Sequence, residues 1–179
     1  MNRTLDAEAF NVIANHAEVA PWLGYEDPTE PIDLTAHVSN PANFAFLTPM
    51  RDGGYLLLKA QAGLYVAHTL ALPSARGRPM LKLMRWGFRT LFTCSDAIEV
   101  VTQVPDGHAN AKAWSDLAGF RDAYRREAFF PLMGERVGCQ YRSLSYVDWA
   151  THAKENLTLG QQFHAAIHGL VDNHPQDDT

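Results

Sequence analysis

Cysteine is scarce here: the 179 residues contain only Cys94 and Cys139. Two thiols cannot make a disulfide framework, and neither has the paired spacing of a metal site, so an apolar core must hold the fold. Long apolar runs are missing too. None is long enough to cross a bilayer, and Met1 to Asp6 leads into no leader-like stretch, so a cytoplasmic chain with no membrane partner is expected. Positive charge is in deficit: 15 Lys and Arg stand against 20 Asp and Glu, a formal charge of −5. That balance argues against a general nucleic-acid binder but leaves room for a local basic patch. No internal repeat or low-complexity tract interrupts the chain. A hydrophobic content of 46% in this length is enough for one full core.

The most informative stretch runs from Gly63 to Cys94. Gly63 to Leu72 is apolar, rich in β-formers and bounded by Gly and Pro, which predicts a mostly buried strand. Pro73-Ser74-Ala75-Arg76-Gly77-Arg78-Pro79 crowds turn residues with two arginines and reads as a tight basic loop. From Met80, the residues Leu81, Met84, Phe88, Leu91 and Phe92 recur at helical spacing, while Arg78, Lys82, Arg85 and Arg89 form a second, basic stripe. A strand feeding a basic loop and a helix N-terminus is an anion site in outline, because free N–H groups and the helix dipole converge there. The same pattern also describes a plain βα unit with solvated arginines.

Around this stretch the order is regular. A helix is predicted from Asp6 to His16, with Trp22 beside the following loop as a core plug in preference to a ligand stacker, and a helical turn or two within Ile32 to Asn40. Strands at Asn43–Thr48 and Tyr55–Ala60 join the Gly63–Leu72 strand through glycine-containing turns, an antiparallel meander. After the helix, Ala97 to Val104 reads as a strand parallel to Gly63–Leu72, since a strand–helix–strand crossover is right-handed. His108 to Leu117 is a second helix closed by Gly119. Arg121 to Glu127 is dense in charge, Ala128 to Leu132 reads as a strand or loop edge, and Gly138 to Val147 as a long strand. Thr158 opens a last helix before a polar tail.

Three features carry a family resemblance: Leu70 to Arg78, the segment His108 to Phe120 with Ala111, Trp114 and Gly119-Phe120, and the element order itself. Together they resemble the GCN5-related N-acetyltransferase (GNAT) family, in particular its short bacterial and bacteriophage-encoded members. The resemblance implies an α/β fold, with a mixed central sheet, a splayed parallel pair and helices on both faces. It places an acyl-CoA-binding domain at residues 1–150, with 151–179 as a C-terminal helix and tail of the same domain. It further implies acetyl-CoA as co-substrate, no metal, and direct attack by an amine acceptor, a small molecule or a protein lysine or N-terminus. The terminal hairpin and last helix offer surfaces for a homodimer.

The resemblance assigns cofactor contacts to the Leu70, Ala71 and Leu72 backbone, to the phosphate loop Arg76, Gly77 and Arg78, and to Met80, His108 and Asn110. The sequence departs from the family pattern where Pro79 removes one N–H donor, a loss of roughly 1.5–3 kcal/mol for a charge-assisted bond. Ser115 stands where the family often has a tyrosine acid, and Tyr124 is a substitute for that role. The central strand has no carboxylate, so His68 is its one group suited to taking a proton near neutrality; the alternative is a strand histidine satisfied by a neighbour. His164 and His168 lie four apart on the last predicted helix with no third ligand nearby. A catalytically weak family member used as a binding module remains the alternative to an enzyme.

Overall fold

In the computed structural model, which describes residues 3–24, 30–132 and 134–151, a meander leads into the central strand. It consists of β1 (Phe44–Leu47), β2 (Gly53–Gln61) and β3 (Leu64–Ala71), each antiparallel to the next. Helix α3 (Arg78–Cys94) then carries the chain to β4 (Glu99–Pro105), which lies parallel to β3. Helix α4 (Ala109–Leu117) leads to the hairpin β5 (Arg121–Leu132) and β6 (Glu135–Ser145). β6 pairs antiparallel with β4, so the sheet order is β1-β2-β3-β4-β6-β5. This is the expected mixed sheet with one parallel pair.

Each face of the sheet is covered by helix, as alternation along the strands requires. Leu83, Met84, Phe88 and Leu91 of α3 pack on Tyr55, Tyr65 and Val100. On the other face, α1 (Ala7–Ala14) and α2 (Thr35–Ser39) bury Phe10, Ile13 and Val38 against Leu56 and Leu70. Asp6 caps α1, its carboxylate accepting from the Ala9 N–H at 3.1 Å. Asn11 of α1 and Asn15, which caps its C-terminus, accept from the N–H groups of Leu34 and Ile32 at 2.7 and 2.8 Å, which fixes the approach to α2.

α3 begins at Arg78 and takes Pro79 into its first turn, where N–H groups have no intrahelical acceptor, as expected. Other boundaries differ from expectation. The charged stretch after Phe120 is one strand of 12 residues. It is the edge of the sheet, where exposed charge protects against strand-to-strand association, so its alternation is weak. Ala128, at φ 45°, marks a register shift between Arg126 and Phe130. β6 starts at Glu135, and residues 146–151 are helical. The helix expected from Thr158, with His164 and His168, lies outside the described residues. Among the described residues, no helix is long and apolar enough to cross a membrane.

Candidate functional site

β3 and β4 pair over three positions only, Leu64 with Glu99, Tyr65 with Val100 and Val66 with Val101. Past them the ladder stops, and Thr102 Oγ1 donates to the Ala67 carbonyl at 3.2 Å. A cavity of about 610 Å³ opens beyond this point. Ala67 to Thr69 and Ala71 of β3 form one wall, Thr102 to Pro105 of β4 the other. Met80, Met84, Trp114 and Phe120 border it from α3, α4 and the turn after α4.

The segment after β3 is held from beneath. Leu72 N–H donates to the Asp52 carbonyl at 2.9 Å, and Ser74 Oγ to the Asp52 carboxylate at 2.8 Å. Hydrogen bonds from Thr48, then Ser74, hold that carboxyl below its usual range. A 3-10 turn at Pro73–Ala75 follows, and Gly77 caps α3 at φ 96°, a conformation a side chain strains to adopt. The first intrahelical bond runs from Leu81 N–H to the Gly77 carbonyl at 3.1 Å. The N–H groups of Arg78 and Met80 therefore have no intrahelical acceptor, and Pro79 has no N–H. Strand, basic loop and helix start thus follow one another in the order expected.

Arg76 lines the cavity and pairs with Glu18, the guanidinium 3.1 Å from the carboxylate. Glu18, Trp22 and Leu23 form a rim contributed by the segment after α1. Trp22 is no core plug: its ring lies 4.0 Å from that of His108, the residue preceding α4. Burial and then the Arg76 charge push His108 below its ordinary pKa.

The residues assigned from sequence divide into groups. His68, Ala71, Arg76, Met80, His108, Asn110 and Ser115 all border the cavity. Met80 does so as a buried core side chain. Arg78 and Gly77 are exposed at the start of α3, while the Leu70 side chain packs against the α1 cluster and leaves only its backbone for a ligand. Leu72 is half-buried beside that cluster.

Ser115 is 4% exposed, donates to the Lys112 carbonyl at 2.8 Å and accepts from Arg142. Arg142, itself 4% exposed, also donates to the Phe120 carbonyl at 3.0 Å and to Asp122 at 2.7 Å, and it pairs with Asp116 at 2.6 Å. Ser115 is thus occupied in clamping α4 to β6. Tyr124 is 49% exposed on β5, stacked on Tyr141 at 4.3 Å, and does not border the cavity.

His68 is half-buried and borders the cavity. Burial, reinforced by nearby His37, pulls its pKa from 6.5 to about 4. The imidazole is neutral at physiological pH and binds a proton weakly, not with the near-neutral affinity expected of it. Sequence reasoning missed Glu18 and Tyr55 as cavity residues. Glu18 comes from outside the central strand, and Tyr55 reads as one more core aromatic.

No protein-family model matches the sequence, and no curated protein does. Solved structures do match in fold. A spermidine N-acetyltransferase from Vibrio cholerae, solved with CoA and spermine, superposes with a TM-score of 0.67 over 81% of this chain and 92% of its own, at 14% identity. A ribosomal-protein-S5-alanine acetyltransferase from Vibrio fischeri gives 0.65 over 83% and 93%, at 10% identity. RimJ of Mycobacterium smegmatis, in complex with CoA-disulfide, gives 0.61 over 80% and 78%, at 13% identity. The parallel pair that parts after three positions, the basic loop and the helix behind it belong to one architecture: this chain has the fold of the GCN5-related N-acetyltransferases.

Proposed function

We propose that the protein is an acetyl-CoA-dependent N-acetyltransferase acting on an amine. The observation that carries this reading is the slot between β3 and β4, with the N-terminus of α3 at its open end. The residues present fit the co-substrate. Two free N–H groups, the helix dipole, Arg76 and Arg78 suit a pyrophosphate, and the edge of β3 from His68 to Ala71, which β4 leaves unpaired, suits a peptide-like arm. Similar enzymes have been solved with CoA or a CoA derivative.

Acetyl-CoA supplies the acetyl group as a thioester, and in its aminolysis an N–C bond forms, the C–S bond breaks, CoA leaves as the thiolate, and one amine proton is released. The chain's part is to bind, orient and desolvate. Arg76 exchanges Glu18 for phosphate, which frees the Glu18 carboxylate at the cavity rim for a cationic acceptor. Trp22 and His108 form an aromatic rim beside it. His68, held neutral, accepts a hydrogen bond from the arriving amine without competing with it as a cation. The β3 N–H groups that the splay leaves unpaired are donors for negative charge developing on the carbonyl oxygen.

The test is thiol release from acetyl-CoA across a panel of mono- and polyamines and of peptides with free N-termini or lysines, with the acetylated product identified by mass. Acceptor-dependent release is expected. Absence of both release and acetyl-CoA affinity contradicts the reading; affinity without turnover supports the binding-module alternative, which the engagement of Ser115 by Arg142 favours.

A further inference from the structure

Tyr55 carries a hydroxyl that the fold itself does not use. The residue is 1% exposed, and its oxygen has no hydrogen-bond partner among the described residues. Packing fixes the ring: Phe88 meets it edge-on at 5.5 Å, and a Cβ added at Gly87 of α3 would lie 2.9 Å from Tyr55 Cδ1. Phenylalanine would fill that place equally well. An unsatisfied buried hydroxyl is costly to a fold, so its presence needs an explanation beyond packing.

The cavity supplies one. Tyr55 pairs with Thr69 of β3, and Ala67, Thr69 and Ala71 alternate along the same face. All three are small, so the floor of the slot stays low and Tyr55 of the neighbouring strand borders the cavity across it. Met80, Met84 and Phe120, which border the same cavity, present no strong side-chain acceptor. Burial raises the phenol well above its ordinary pKa, so it keeps its proton and acts as a donor. Arg76 and Arg78 lie beyond the end of β3, which leaves the Tyr55 level without a cation for a phosphate. A neutral acceptor is what fits there.

We propose that the Tyr55 hydroxyl donates a hydrogen bond to a carbonyl oxygen of bound acyl-CoA, in its pantetheine arm or its thioester. This rests on the acyl-CoA reading above and adds a residue on β2 to the binding machinery.

The experiment is calorimetric titration of CoA and of acetyl-CoA into wild type and Tyr55→Phe, with melting curves of both ligand-free proteins. Tyr55→Phe should melt at the same temperature or higher, since it deletes an unsatisfied group, and should bind about 5- to 10-fold more weakly. A loss shared by CoA and acetyl-CoA places the acceptor in the pantetheine arm; a loss confined to acetyl-CoA places it at the thioester. Unchanged affinity for both ligands overturns the inference alone, as does a lower melting temperature of the ligand-free variant, which would give the hydroxyl a partner within the protein. Wild type that binds neither ligand overturns the acyl-CoA reading and this inference with it.

Discussion

Replacing His68 by glutamine should flatten the acid side of the stability profile. The imidazole titrates at about 4 in the folded protein against 6.5 for the free side chain. The unfolded chain therefore binds more protons between those values, and stability is lost as pH falls from 6.5 toward 4. Protonation linkage for a group lowered this far gives a loss of about 2 kcal/mol between pH 7 and pH 5. Cavity water reaching the ring lowers that to ~1 kcal/mol. Asp52, Asp96, Asp106 and Asp116 are held below their ordinary range by hydrogen bonds to charged or hydroxyl neighbours. Their contribution is intact above the ordinary carboxylate pKa and is lost below it, so pH 7 to 5 isolates the histidines. His108, also lowered, remains in the variant and sets its residual slope. Urea unfolding at pH 7, 6 and 5 is the assay. Parallel profiles for wild type and His68→Gln would refute the claim that burial holds His68 neutral.

Arg142→Leu should destabilise by about 3 kcal/mol, because the Phe120 carbonyl and Ser115 lose their buried donor, while the exposed Asp116 and Asp122 lose only an ion-pair partner. Urea midpoints check this, and Ser115→Ala should lose much less. Gly77→Ala should cost about 1–3 kcal/mol from backbone strain at φ 96°, since a Cβ there meets nothing within 4 Å, and should weaken acetyl-CoA binding by displacing the start of α3. Thermal melts with and without acetyl-CoA separate the two effects.

Period and punctuation made most of the fold legible. Gly63, Pro73 and the β-formers between them bounded the central strand, and the Leu81–Phe92 spacing marked α3. The strand–helix–strand rule gave the parallel pairing of β3 and β4. The edge strand β5 was obscured because its first eight residues are exposed among the described residues, so its charges carry no alternation. The site was legible where it is local in sequence, as in Arg76-Gly77-Arg78 beside the α3 N-terminus. It was illegible where distant segments meet. Glu18 and Trp22 reach the cavity only because α1 packs on β3, and Tyr55 borders it only because Ala67, Thr69 and Ala71 are small. Ser115 stands at the expected place along α4, but the buried Arg142 from β6 gives it structural work, a pairing no local pattern announces.

The most direct test of the central claim is calorimetric titration of acetyl-CoA into wild type and into an Arg76→Ala, Arg78→Ala double variant. The slot and the α3 N-terminus predict binding by the wild type that weakens at least tenfold in the variant, a difference of about 1.4 kcal/mol or more. Equal binding by both proteins would place the co-substrate away from this loop, and no binding by either would contradict the acyl-CoA function itself.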